Sequence, residues 1–155
     1  MGRLKKFVLI LKHSLPPEFQ IVPADEQLVE RFLAKLVKGA VQFRYFQKRP
    51  VSIIQNHLAT AITLDPTGSP IAYGHLEKEG GKLWLGLAIA DDQVNKGLGK
   101  SMLNFLVSNA ATKGESAVRL AVDKDNFIAQ GLYQSAGFTK IGDYPTYYVF
   151  ELTLA

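Results

Sequence analysis

Cysteine is missing from the 155-residue sequence. Its absence excludes disulfides, thiolate-ligated metals and a covalent acyl-cysteine intermediate, and it suits a reducing, cytoplasmic compartment. Long apolar runs are missing as well, since nothing approaches the roughly 20 residues of a membrane-spanning helix. The run Phe7-Val8-Leu9-Ile10-Leu11 follows Lys5-Lys6 as in a signal peptide. It falls short of the roughly 7 to 15 residues of an h-region and lacks a small-residue cleavage site, so a strand is expected there. A basic stripe interleaved with aromatics is also missing. The formal charge is +4, but the basic residues are scattered among acidic ones. Neither nucleic acid nor a membrane is therefore an expected partner, while a mild basic excess serves a small anionic ligand.

What is present belongs to a folded globular chain: 47% hydrophobic and 21% charged residues, a balance that excludes wholesale disorder. There is no internal repeat, low-complexity tract or dividing linker, so residues 1–155 are expected to form a single domain. A short extended stretch, Phe19 to Val22, precedes Pro23 and Asp25. Leu28, Val29, Phe32, Leu33 and Leu36 then recur at helical spacing, and Gly39 is expected to close that helix. After a less regular section from Phe43 to His57, strands are expected at Leu58 to Leu64, Ile71 to Glu77 and Leu83 to Ile89. Asp65-Pro66-Thr67-Gly68 and Gly80-Gly81 supply the turns of this antiparallel meander. A helix from about Gly97 to Thr112 follows, with Met102, Leu103, Leu106 and Ala110 on its apolar face. Then come a strand at Val118 to Val122, a helix from Asn126 to Ser135, and strands near Thr139 to Gly142 and Tyr147 to Leu152. Strand, loop, helix and strand make a βαβ unit with parallel strands.

The segment Val94-Asn95-Lys96-Gly97-Leu98-Gly99-Lys100-Ser101 opens the long helix. A Gly-rich turn at a helix start aims backbone N–H groups and the positive end of the helix dipole at one point, which suits phosphate or pyrophosphate. Its tail, Gly99-Lys100-Ser101, matches the end of a nucleotide P-loop, G-x-x-x-x-G-K-[S/T]. The first glycine of that motif falls on Val94, and β-branched residues are poor in positive-φ conformations. Downstream of Ser101 no strand ends in an aspartate placed as a magnesium ligand, apart from Asp123.

The alternative extends further. Leu87-Ala88-Ile89, a short linker, the Gly97-Leu98-Gly99 loop and an amphipathic helix resemble the acetyl-CoA signature Q/R-x-x-G-x-G/A of the GNAT superfamily of N-acetyltransferases. Downstream, Asn126-Phe127-Ile128-Ala129-Gln130-Gly131-Leu132-Tyr133 with Gly137-Phe138 resembles that superfamily's N-x-x-A-x-x-L-Y-x-x-x-G-F. The two ordered motifs cover roughly residues 83 to 140. The departure is Val94, at the usual Gln/Arg position. Pyrophosphate is held mainly by N–H groups, so this substitution is expected to weaken binding rather than abolish it, with Lys96 and Lys100 supplying positive charge.

The resemblance implies an α/β (α+β) fold: a mixed, mostly antiparallel sheet of about six to seven strands flanked by helices, with a βαβ acetyl-CoA-binding unit. It implies direct transfer of acetyl from acetyl-CoA to a primary amine, without metal. Leu87 and Ile89 are the strand residues to offer backbone hydrogen bonds to the pantetheine arm. Asn95, Gly97, Leu98 and Gly99 line the pyrophosphate turn. Asn126 bonds the cofactor arm or caps its helix, and Tyr133 is the general acid toward the sulfur; a phenol with a pKa near 10 is protonated at neutral pH.

The base is open. Tyr73, His75 and Glu77 alternate along one strand and share a face. If that face looks into the cleft, His75 titrates in the right range and Glu77 orients it or relays through water. If it looks to solvent, both are strand polars. His57 is an outside candidate. Acceptor recognition is expected from Phe43, Arg44, Tyr45 and Arg49, with Tyr144, Tyr147 and Tyr148; the arginines beside aromatics suit a ring-bearing or anionic small-molecule amine. A non-catalytic acyl-CoA-binding module, a protein or peptide amine as acceptor, and a homodimer are the open alternatives.

Overall fold

The computed structural model describes residues 18–94 and 96–154. The expected strand at Phe7 to Leu11 and the loop residue Asn95 lie outside the described residues. Among the described residues seven strands form one sheet: β1 (Gln20–Pro23), β2 (Ala59–Leu64), β3 (Pro70–Glu79), β4 (Lys82–Ile89), β5 (Ala117–Asp123), β6 (Thr139–Asp143) and β7 (Tyr147–Thr153). Their order is β1-β2-β3-β4-β5-β7-β6. Every neighbouring pair is antiparallel except β4 with β5. Among the described residues three α-helices accompany them, α1 (Glu26–Leu33), α2 (Leu98–Thr112) and α3 (Phe127–Ser135). This is the mixed, largely antiparallel sheet that the resemblance implied.

Local chemistry fixes the elements. Asp25 caps α1 by accepting from Leu28 N at 2.8 Å, leaving Val29 and Phe32 as its buried stripe. Between β2 and β3, Asp65 Oδ1 accepts from the amides of Thr67 and Ser69, so the side chain holds the turn that the sequence indicated. The alternation of β3 then sorts two cores. Ala72 and Leu76 join Met102, Leu103, Leu106 and Val107 of α2 on one face, while Tyr73 joins Val29 and Phe32 on the other. Truncating Leu106, which is fully buried, is a core deletion of the kind that costs about 2–5 kcal/mol.

One element ends sooner than its periodicity suggests. Helix α1 stops at Leu33 instead of continuing to Gly39. The chain tightens through bonds from Lys35 N to Phe32 O and Leu36 N to Leu33 O, and the next three amides leave the helical ladder altogether. Val37 N, Lys38 N and Gly39 N all donate to the carboxylate of Asp91, at 3.0, 2.6 and 2.9 Å. Leu36 still packs on the α1 side of the core, which is why its spacing looked helical.

The second consequence of topology is a cleft. In the parallel pair the register is Trp84 opposite Arg119, near the beginning of both strands. Beyond that point the later residues of β4, from Leu85 to Ile89, and those of β5, from Ala121 to Asp123, line a common cavity instead of a ladder. The far side of β5 is fully zipped to β7, with Arg119 Nε donating to Glu151 Oε2 at 2.7 Å.

Candidate active site

The cavity between the splayed strands holds about 1390 Å³. Its floor is the sheet, one end is the opening turn of α2, and the other end is walled by the irregular section from Leu36 to Arg49. Gly97 is the N-cap of α2 with φ 78°, a left-handed conformation that glycine adopts without penalty. The first helical bond runs from Ser101 N to Gly97 O, so the amides of Leu98, Gly99 and Lys100 belong to the helix turn that has no internal acceptors. Gly97, Gly99 and Lys100 line the cavity, and Leu98 anchors the turn with a buried side chain. Val94 is extended, half-exposed and also on the cavity wall. Lys96 bonds Gln93 Oε1 at 3.2 Å. An anion with several oxygens fits this turn, and a flexible arm fits the open edge of β4 along Leu87 and Ile89, whose side chains are partly buried.

Helix α3 borders the same cavity. Asn126 caps it, with Oδ1 accepting from Ala129 N at 3.2 Å, and also faces the cleft. Tyr133 is 6% exposed and lies against Phe138 and Phe150. Burial raises its phenol pKa, so it holds its proton throughout the neutral range.

The face of β3 bearing Tyr73, His75 and Glu77 turns toward α1 and the irregular section, and His75 and Glu77 line the cavity. Opposite His75 in the register stands Gly86, on which a Cβ would lie 2.3 Å from His75 Cε1. The imidazole therefore occupies the space that a side chain at 86 would take. His75 Nδ1 pairs with the Tyr73 hydroxyl at 2.7 Å. Tyr45 reaches in from the irregular section, its hydroxyl donating to Glu77 Oε2 at 2.9 Å and lying 2.7 Å from His57 Nε2. His57 Nδ1 meets Thr60 Oγ1 at 2.9 Å. Burial, followed by the Arg49 charge, lowers the His57 pKa to about 4. Burial likewise holds His75 well below its usual value, helped by His57 and Arg49. The 3.9 Å approach of His57 to Glu77 is thus no ion pair at neutral pH, and the Tyr45 hydroxyl bonds both partners.

One ligand-type atom from each of His57, His75 and Glu77 lies within 4.8 Å of the others, a spacing that a metal ion could bridge. Two of the three groups are already hydrogen-bonded to Tyr45, which accounts for their convergence without an ion.

The model of the acetyltransferase (GNAT) family matches residues 26–138. The chain belongs to that family. A GCN5-related N-acetyltransferase from Kribbella flavida superposes with a TM-score of 0.75 over 90% of this chain and 100% of its own, at 18% identity. A putative acetyltransferase from Salmonella typhimurium, solved with acetyl-CoA, gives 0.70 over 89% and 95%, at 16% identity. Among curated proteins, the chloroplastic GCN5-related N-acetyltransferase 6 of Arabidopsis thaliana is 28% identical over 122 residues, 76% of this chain. This chain corresponds to only 38% of that protein's length.

The residues expected to recognise the acceptor are brought together on the cavity wall, and their charges are largely committed. Phe43, Arg44, Tyr45 and Arg49 all line the cavity. Arg44 forms a two-pronged pair with Asp123, both bonds at 3.0 Å. That pair also occupies the aspartate considered as a magnesium ligand. Arg49 places its guanidinium 4.3 Å over the Tyr45 ring and donates to Tyr45 O. Tyr144 and Tyr147 stack on each other at the cavity edge, whereas Tyr148 lies beneath Lys124 and Lys140. Sequence reasoning placed Tyr73 on the face of His75 and Glu77 without giving it a partner, and it missed Thr60 and Gly86 as parts of the site. A glycine at the centre of an apolar strand was the available signal, since it marks a close approach.

Proposed function

We propose that this chain transfers the acetyl group of acetyl-CoA directly to a primary amine of a small molecule. The observation that carries this reading is the splayed cleft itself, where the Gly97 turn, the buried phenol of Tyr133 and the His75–Glu77 face border one cavity. Acetyl-CoA brings the activated acyl group as a thioester. The amides opening α2, with Lys100, hold its pyrophosphate by partial positive charge, and Asn126 bonds its arm. Tyr133 gives its proton to the departing sulfur. The aromatic wall of Phe43 and Tyr45 and the acidic Glu77 receive the amine, which reaches the enzyme as an ammonium.

A protein or peptide amine is the second reading. It is favoured by exposed apolar residues at the cavity rim, Val41, Val94, Ile128 and Tyr144. Calorimetric titration with acetyl-CoA and with ATP-Mg, followed by thiol release against small amines and short peptides, tests both. Tight acetyl-CoA binding without ATP binding is expected, with thiol release for a small amine. Tyr133→Phe is expected to lower kcat about 100-fold and leave acetyl-CoA affinity intact. An undiminished kcat in that variant would remove Tyr133 from the acid role, and binding without turnover on any amine would leave an acyl-CoA sensor.

A further inference from the structure

The hydrogen bonds of the β3 cluster fix more than its shape. Each neutral imidazole carries one N–H, and each hydroxyl has one hydrogen to give. Tyr73 is fully buried, and among the described residues its hydroxyl meets only His75 Nδ1. If Nδ1 carried the proton, the phenol hydrogen would be orphaned in the core at a cost of about 1–3 kcal/mol. Tyr73 therefore donates, Nδ1 accepts, and the His75 hydrogen sits on Nε2. The second chain reads the same way. Tyr45 gives its hydrogen to Glu77 Oε2, so its oxygen accepts from His57 Nε2–H, and His57 Nδ1 accepts from Thr60. Four groups, Thr60, His57, Tyr45 and Glu77, thus form a directed chain in which every donor points toward the carboxylate. Glu77 Oε1 takes no bond from this chain and belongs to a residue on the cavity wall.

We propose that Glu77 Oε1 is the atom that takes the proton from the acceptor amine, that His75 offers the cleft an N–H donor, and that Tyr45, His57 and Thr60 are positioning residues that hold Glu77 through this chain. The proposal rests on the acetyl-transfer reading and divides the labour between His75 and Glu77 differently from the sequence expectation. A tautomer with Nε2–H has no lone pair for an incoming ammonium, whereas a carboxylate oxygen does. The balance is simple. The ammonium loses one proton to Glu77, a C–N bond replaces the thioester C–S bond, Tyr133 protonates the sulfur, and the amine's second proton restores Tyr133. One proton leaves overall, from Glu77 to solvent. Besides His57 and Tyr45, the charged and titratable groups of this cluster are His75 on the same strand, Arg49 above the Tyr45 ring, and Glu79, which with Arg49 acts on Tyr45.

Long-range ¹H–¹⁵N NMR of the full chain reads the imidazole tautomers without requiring turnover. His57 and His75 should both be Nε2–H at neutral pH. In Tyr45→Phe, His57 loses its acceptor and should shift to the Nδ1–H form, donating to Thr60. A His75 signal of the Nδ1–H type in the unmodified chain would overturn the proposal. Kinetics with an amine from the panel form the second arm. Glu77→Gln should lower kcat about 100-fold with acetyl-CoA affinity unchanged, and Tyr45→Phe roughly tenfold. His75→Gln, which retains an N–H donor, should keep far more activity than His75→Leu. Turnover surviving in Glu77→Gln, or equal collapse of both His75 variants, sinks this assignment alone. A chain that acetylates no amine sinks the acetyl-transfer reading, while the tautomers still decide the direction of the chain.

Discussion

The Tyr73 hydroxyl and His75 Nδ1 stand 2.7 Å apart in the core beneath the cleft, on residues 0% and 3% exposed. They are two positions apart on one strand, so the strand's pleat brings them to the same face. Tyr73→Phe keeps the ring in its packing against Phe32 and Phe43 and removes only the donor. His75 Nδ1 is then left without a partner, and urea unfolding should register a loss of about 1–3 kcal/mol. A loss near zero would show that water or a shifted ring replaces the hydroxyl.

Gly86 and His75 form a second steric pair. A Cβ at 86 would stand 2.3 Å from His75 Cε1 and 2.7 Å from Nε2, closer than any real contact, and the ring cannot retreat because Tyr73 and Tyr45 flank it. Gly86→Ala should destabilise by about 1–3 kcal/mol through overpacking. It should also reduce turnover by more than tenfold while calorimetry finds acetyl-CoA binding nearly unchanged, because the Gly97 turn is on another element. Equal losses of binding and turnover would mean that the whole β4 edge had moved.

The elements that sequence makes legible here are those set by local chemistry. Asp65-Pro66-Thr67-Gly68 specified its turn because its hydrogen bonds span only a few residues, and the glycine and tyrosine motifs, each a short run, carried the family. The face of β3 was legible as a choice between cleft and solvent, and the fold resolved it. What could not be read is what joins distant segments. Tyr45 meets Glu77 across 32 positions, Arg44 meets Asp123 across 79, and Asp91 collects three amides more than 50 residues upstream. The early stop of α1 has that last cause. Its apolar spacing continued, but the amides after it had a carboxylate to bind.

Asp91 supplies a pH prediction. Bonds from the Gly39, Lys38 and Val37 amides, with the Lys38 charge, lower its pKa below the ordinary aspartate value of 3.8. A carboxyl with a depressed folded-state pKa stabilises the fold above its unfolded pKa, and that contribution fades as pH falls through the folded value. Thermal melts should therefore lose stability below about pH 4, and the slope there should be shallower in Asp91→Asn. The same variant should speed amide hydrogen exchange at residues 37–39. Unchanged exchange would show that the segment is held by Leu36 packing alone.

The Gly97 turn allows binding and catalysis to be separated. At φ 78° an alanine pays a left-handed penalty of about 1–2 kcal/mol, which the chain can escape only by rotating the first turn of α2 and misaiming its amides. Gly97→Ala should raise the acetyl-CoA KM roughly tenfold yet leave kcat at saturation close to normal, because pyrophosphate contacts are the same in ground and transition states. Lys100→Ala preserves the backbone and removes one cavity-facing charge, so its smaller loss of affinity should shrink further as salt is added. A fall in kcat with constant KM for Gly97→Ala would mean that the turn positions the thioester itself, and the pyrophosphate would then have to be held elsewhere along the cleft.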